Sequence, residues 1–272
     1  MNRKIRIGAL ISGGGSNLQA IIDACESGES DGEVVFVGSD KANAYGLQRA
    51  AKLGIPTFTV DYASIAQGIR ESPENIAPPD DFNMNDLLSK QSIFPMDCDV
   101  EKIKIFMVIR AIAEAKLLEE MKPYPFDLLV LAGFMKTLTP YFIDRVNTDP
   151  HKPRIMNIHP SLLPAFAGTD GYRDTFRYGC KVGGCTVHFI DYGEDSGPII
   201  GQRVFQIEEN DTLDTVRKKG LKLEWEIYPE CIRLFAEDRL KVVSLSHPLK
   251  NGRKKKRKVV KILPERREGD FR

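Results

Sequence analysis

At 272 residues and 42% apolar, the chain is long enough to bury one large core or two small ones. Its formal charge of +1 conceals a division. Residues 244–272 carry eleven Lys/Arg against three Asp/Glu, a net of +8, which leaves −7 for residues 1–243. The body is thus a mildly acidic globular domain with no general reason to bind nucleic acid, and any polyanion affinity belongs weakly to the tail. The five cysteines, Cys25, Cys98, Cys180, Cys185 and Cys231, form no C-x-x-C pair and are odd in number, as expected of free thiols in a reducing compartment. Cys185 and His188 are the one close Cys/His pair and have no second pair to complete a ligand set, so no metal site is expected. Arg3, Lys4 and Arg6 precede an apolar stretch too short for a signal peptide, and no uncharged run reaches membrane-spanning length. A cytoplasmic protein, monomeric or homodimeric, is the expectation.

In chain order, Ile5–Ile11 reads as a buried strand. It runs into Ser12-Gly13-Gly14-Gly15-Ser16-Asn17 and then an apolar helical pattern at Leu18, Ile21, Ile22 and Cys25. Strand, glycine loop and helix make an anion-binding arrangement, with Ser16 or Asn17 as candidate helix cap. The loop lacks Gly-Lys-Ser/Thr and the third glycine of the dinucleotide fingerprint, so Gly14, Gly15, Ser16 and Asn17 suit a phosphate monoester better than ATP or NAD. Val34–Val37, a helix over 44–53 and Ile55–Val60 continue a strand–helix alternation that predicts an α/β fold with a mostly parallel sheet.

Residues 68–98, with Pro73, Pro78, Pro79 and Pro95, interrupt this rhythm. They read as a loop-rich insertion, an excursion from the domain with a short helix at 86–88. A helix follows over 100–121, with apolar positions at 105, 108, 109, 112 and 117. Next come a buried strand at 126–131, a short helix at 140–146 and a strand that stops at Asn157-Ile158-His159-Pro160. Proline cannot donate to a sheet ladder, so this strand ends about where His159 emerges. Asn157 and His159, two residues apart in extended backbone, point to one side of the sheet. Strands at 186–190 and 199–205 flank the turn-rich segment 191–198. A final helix over 212–236 contains Pro229, where a kink is expected. After Val243 the pattern dissolves, and Arg253-Lys254-Lys255-Lys256-Arg257-Lys258 reads as part of a solvated, flexible basic tail.

The Ser12–Ile21 loop, the turn Ala132-Gly133-Phe134-Met135, the stretch Asn157-Ile158-His159-Pro160-Ser161-Leu162-Leu163-Pro164 and Asp195-Ser196-Gly197-Pro198 occur in this order. Together they resemble the phosphoribosylglycinamide formyltransferases, folate-dependent enzymes of purine synthesis. The resemblance spans roughly residues 5–62 and 124–243. It implies a Rossmann-like sheet flanked by helices, with residues 1–243 as the catalytic domain and 244–272 as the tail.

The same resemblance implies Asn157, His159 and Asp195 as a catalytic trio and 10-formyltetrahydrofolate as formyl donor. Asn157 and an imidazolium at His159 would stabilise the oxyanion while Asp195 assists proton transfer. It further implies that Gly14, Gly15, Ser16 and Asn17 grip the substrate phosphate and Glu224 the ribose. Met135, Lys136 and Leu138 would line the pterin pocket, with Tyr192, Gly193, Glu194 and Gly197 on its other side. His188 is expected to be a wall residue and not a proton carrier. Asp40, Asn43, Asp170 and Trp225 depart from the family pattern, and neither Arg70 nor Arg110 is singled out as its substrate-binding arginine. A formyltetrahydrofolate deformylase would share the trio but normally carries a domain ahead of it, whereas this sequence opens on the first strand. A methionyl-tRNA formyltransferase, a sugar-amine formyltransferase and a non-catalytic folate or nucleotide binder are rival readings of the same motifs.

Overall fold

The computed structural model describes residues 4–72, 77–95, 97–249 and 253–265. Seven strands form one sheet: β1 Ile5–Ile11, β2 Gly32–Ser39, β3 Thr57–Thr59, β4 Leu128–Leu131, β5 Ile155–His159, β6 Val182–Phe189 and β7 Ile199–Gln206. Their order is β3-β2-β1-β4-β5-β6-β7. The first five strands are parallel, and β6 and β7 add in antiparallel sense. All four residues of Leu-Leu-Val-Leu in β4 are buried, the near-continuous apolar run of a strand covered on both faces. In β7 burial alternates from residue to residue, as suits an edge strand with one wet face.

The helices are α1 Ser16–Ser27, α2 Tyr45–Lys52, α3 Tyr62–Glu71, α4 Met84–Lys90, α5 Val100–Met121, α6 Pro140–Val146, α7 Gly171–Arg177 and α8 Leu213–Ala236. One apolar core joins β1, β4, β5 and β6 to α1 and α8, and a second joins the sheet's other face to α5 and α6. Strand order reverses between β1 and β4, and ligands in open α/β sheets bind beyond the C-terminal strand ends at such a point.

Several expectations change. The insertion is not an excursion: Leu87 of α4 is buried with Ile103 and Met107 of α5 and Tyr141 of α6 in a third core. Helix α5 is consequently covered on two sides. Its buried residues are Ile103, Met107, Ala111, Ala113, Glu114, Leu117 and Met121, while Ile105, expected to face inward, is 55% exposed. Helix α8 contains Pro229, whose carbonyl accepts a hydrogen bond from Ser30 Oγ at 3.1 Å. The tail is not uniformly loose. Strands β8 Leu240–Pro248 and β9 Lys254–Ile262 form an antiparallel ribbon that pairs Ser244 with Lys258 and Ser246 with Lys256. Backbone pairing and the buried Val242 at its base organise the ribbon, while the lysines stay in water as exposed side chains. Pro73 and residues 266–272 of the expected insertion and tail lie outside the described residues. Among the described residues no helix is long and apolar enough to cross a membrane.

Candidate active site

The C-terminal ends of β4 and β5 open onto a cavity of about 340 Å³. Asn157, His159 and Asp195 all line it. As expected, β5 ends at His159, whose ring is almost fully buried. Its Nδ1 lies 3.1 Å from Asp195 Oδ2, and its Nε2 lies 2.8 Å from the Phe166 carbonyl oxygen. Asp195 sits at a positive φ of 48° and also accepts the Gly168 N–H at 2.9 Å.

Burial pulls the His159 pKa below its ordinary value, against the opposing charge of Asp195 and the Phe166 carbonyl. Burial thus works against the expected standing imidazolium. Both ring nitrogens nevertheless face acceptors, so a proton that reaches the ring finds partners in place. Burial works against the charge of Asp195 too. The His159 ring, Nδ1 foremost, and the Gly168 N–H beside it outweigh burial and hold the carboxyl below the usual range.

His188, expected on the site wall, is fully buried and is not among the residues that line the cavity. It stands directly across from Asn157 in the β5–β6 ladder, and its Nε2 is 3.2 Å from Asn157 Nδ2. Its Nδ1 lies 3.0 Å from the Phe189 carbonyl. A carbonyl only accepts, so Nδ1 carries the hydrogen and Nε2 accepts from the Asn157 amide. That fixes which way Asn157 points and leaves its second N–H for a ligand. His188 Nε2 is also 3.6 Å from Asp195 Oδ1.

Helices α1, α7 and α8 supply one end of the cavity. Glu224, 5% exposed, receives Asn17 Nδ2 on one carboxylate oxygen and Tyr172 Oη on the other, both at 2.6 Å. Burial raises its pKa, and those two hydrogen bonds oppose the rise. Asn17 therefore braces Glu224 and does not cap α1. The cap is Gly15, at φ +70°, where an added Cβ would lie 2.7 Å from Gly46 Cα. No side chain caps α1 and its first turn has no acidic residue, so its positive end is presented without a built-in anion. Gly14, Gly15 and Ser16 lie at that helix start, outside the cavity lining.

The loops after β4 and β6 supply the other end. Met135, Lys136 and Leu138 line it as expected, with Gly133, Phe134, Gly193 and Glu194. The Met135 N–H donates to Ser12 Oγ at 2.8 Å, which ties this loop to the end of β1. Lys136 reaches the buried Asp40 at 3.3 Å. Two expected lining residues do not line it. The Tyr192 ring turns away, and its hydroxyl donates to Asp144 Oδ1 at 2.5 Å. Gly197 packs against the backbone, where a Cβ would lie 1.8 Å from the Phe189 carbonyl oxygen.

Of the departures, Asp170 caps α7 and binds Arg217 at 3.0 Å on the cavity rim, and Trp225 is largely exposed. Neither Arg70 nor Arg110 lines the cavity. Arg110 instead lies over the rings of Tyr62 and Phe106.

Residues 5–232 match the Formyl transferase family. The chain belongs to that family. This formyl transferase is 35% identical over 237 residues to phosphoribosylglycinamide formyltransferase of Haemophilus influenzae, covering 87% of the chain and 90% of the relative. It is 34% identical over 238 residues to the Escherichia coli enzyme of the same name, covering 88% and 90%. Against the trifunctional purine biosynthetic protein adenosine-3 of Chironomus tentans it is 34% identical over 86% of the chain, which spans 14% of that longer protein. The crystal structure of glycinamide ribonucleotide transformylase 1 from Symbiobacterium toebii superposes with a TM-score of 0.69 at 36% identity, covering 97% of this chain and 96% of that one.

Proposed function

We propose that the chain transfers the formyl group of 10-formyltetrahydrofolate to the amine of glycinamide ribonucleotide. The observation that carries this reading is the convergence of Asn157, His159 and Asp195 on one cavity. That cavity has a polar, carboxylate-bearing end at Asn17 and Glu224 and an apolar end at Leu131, Phe134, Leu138 and Ile190. A flat heterocycle suits the apolar end, with backbone edges of the loop after β4 to bond its ring nitrogens. Glu224 suits ribose hydroxyls, and the start of α1 suits a phosphate.

In the reaction, the substrate amine adds to the formyl carbon and the formyl oxygen becomes an oxyanion. Asn157, already oriented by His188, donates its remaining N–H to that oxygen. The attacking nitrogen, now cationic, gives a proton to neutral His159. Asp195, 3.1 Å away, stabilises the imidazolium that forms. The ring returns the proton to N10 of the folate, the C–N10 bond breaks, and formylated amine and tetrahydrofolate leave. A substrate group that engages Nε2 displaces the Phe166 carbonyl now 2.8 Å from it.

The test is formyl transfer by purified protein, with glycinamide ribonucleotide, an amino sugar and water alone as parallel acceptors. The expected result is formyl loss that requires glycinamide ribonucleotide. Equal loss in water alone would make the chain a hydrolase, and loss only with the amino sugar would reassign the acceptor.

A further inference from the structure

We propose that residues 81–94 form a strap that positions the Asp195-bearing loop from the side opposite the cavity. The assignment rests on a set of contacts that converge on Tyr192 and Gly193. The Ser92 N–H donates to the Tyr192 carbonyl at 2.9 Å, and Ser92 and Gly193 form a parallel bridge. A Cβ on Gly193 would lie 2.8 Å from Ser92 Oγ, so the strap rests directly on the loop backbone. Two residues further on is Asp195, while Gly193 and Glu194 line the cavity.

Asp144 of α6 joins strap and loop a second time. Its Oδ2 accepts Lys90 Nζ at 2.8 Å, and its Oδ1 accepts the Tyr192 hydroxyl at 2.5 Å. Lys90, 34% exposed, also binds Asp86 at 2.8 Å. The strap itself is held at both ends. Asp81 accepts the Tyr141 hydroxyl at 2.9 Å and binds Arg145 of α6. Gln91 Oε1 accepts the N–H groups of Ile93 and Phe94, both at 3.0 Å, and Phe94 packs edge-on against Phe106 of α5. A loop with one face on a ligand cavity and the other on a fixed support loses fewer orientations on binding.

The strap acts through Asp195 and the donor-side wall, so its kinetic consequence rests on the proposed reaction. The experiment therefore pairs kinetics with a readout that needs no activity. Two variants are compared in the full chain, Lys90→Met and Ser92→Pro. Gln91 already has φ −64° and ψ 140°, the extended backbone that a residue before proline prefers, and Ser92→Pro removes the N–H. Amide exchange at 193–195 should accelerate about three- to tenfold, the effect of one lost hydrogen bond, while amides of β4 keep their rates. KM for the formyl donor should rise by a similar factor with KM for the acceptor unchanged, and Lys90→Arg should restore both. Unchanged loop exchange in both variants would overturn the strap. So would uniform acceleration across loop and β4, which is general destabilisation. Faster loop exchange with transfer activity absent even in the parent protein would uphold the strap and sink the proposed reaction.

Discussion

Around His159, burial and hydrogen bonding pull in opposite directions. Burial disfavours the charged ring, while Asp195 and the Phe166 carbonyl wait to accept from it. If neutral His159 receives the proton, kcat/KM should rise with pH through an ionisation below 6.5, the ordinary value for the ring. Asp195→Asn removes the charge that raises that pKa, so the limb should move to lower pH as the rate falls. A pH–rate series on both proteins checks the sign, and a limb that moves upward would contradict it.

At the acceptor end, Tyr172→Phe deletes the 2.6 Å bond to Glu224. KM for the acceptor should rise about threefold to tenfold with kcat little changed. Asn157 and His159 were legible because spacing of two in a strand before proline fixes their common side. The bracing role of His188 was not, because it depends on register with a strand that returns in the opposite sense. Tyr192 and Gly197 were misplaced for a related reason: an irregular loop imposes no periodicity on where side chains point.

Among the elements, α5 carries a fully buried acid. The Glu114 carboxyl oxygens accept the Thr139 N–H at 2.8 Å and Thr139 Oγ1 at 2.5 Å. Burial, opposed by these bonds, pushes its pKa up to about 8. A carboxyl whose folded pKa is raised contributes most below its unfolded value, and the contribution is lost as pH rises through the folded one. Stability should therefore decline from about pH 4.5 to about pH 8 at this site. Glu114→Gln can keep both contacts without a charge. It should flatten the decline and unfold at higher temperature than the parent near pH 9. A parallel pH dependence of melting in the two proteins would contradict the burial argument. The inward face of α5 was misread from sequence because the inserted α4 packs on it: a helix covered on two sides loses its single apolar stripe.

At the scale of the molecule, an acidic body carries a basic ribbon. Composition separated the two by charge at a boundary that falls inside β8, and a like-charge run does not reveal that its backbone has a partner. Residues 244–248 supply that partner, and the opposing lysines stay exposed to water. Amide exchange at 258–261 should be protected relative to an unfolded peptide, and exchange at the unfolded rate would restore the flexible tail. The mostly parallel sheet was legible because βα alternation and turn chemistry are local.

In the proposed reaction Asn157 and His159 perform the transfer and do not merely shape the cavity. Steady-state turnover of Asn157→Ala and His159→Ala, with donor and acceptor concentrations both varied, separates the two roles. In each variant kcat should fall by about 10²- to 10³-fold, with both KM values within a few-fold of the parent and cooperative unfolding retained. Near-parental kcat in both variants, or losses confined to KM, would contradict it.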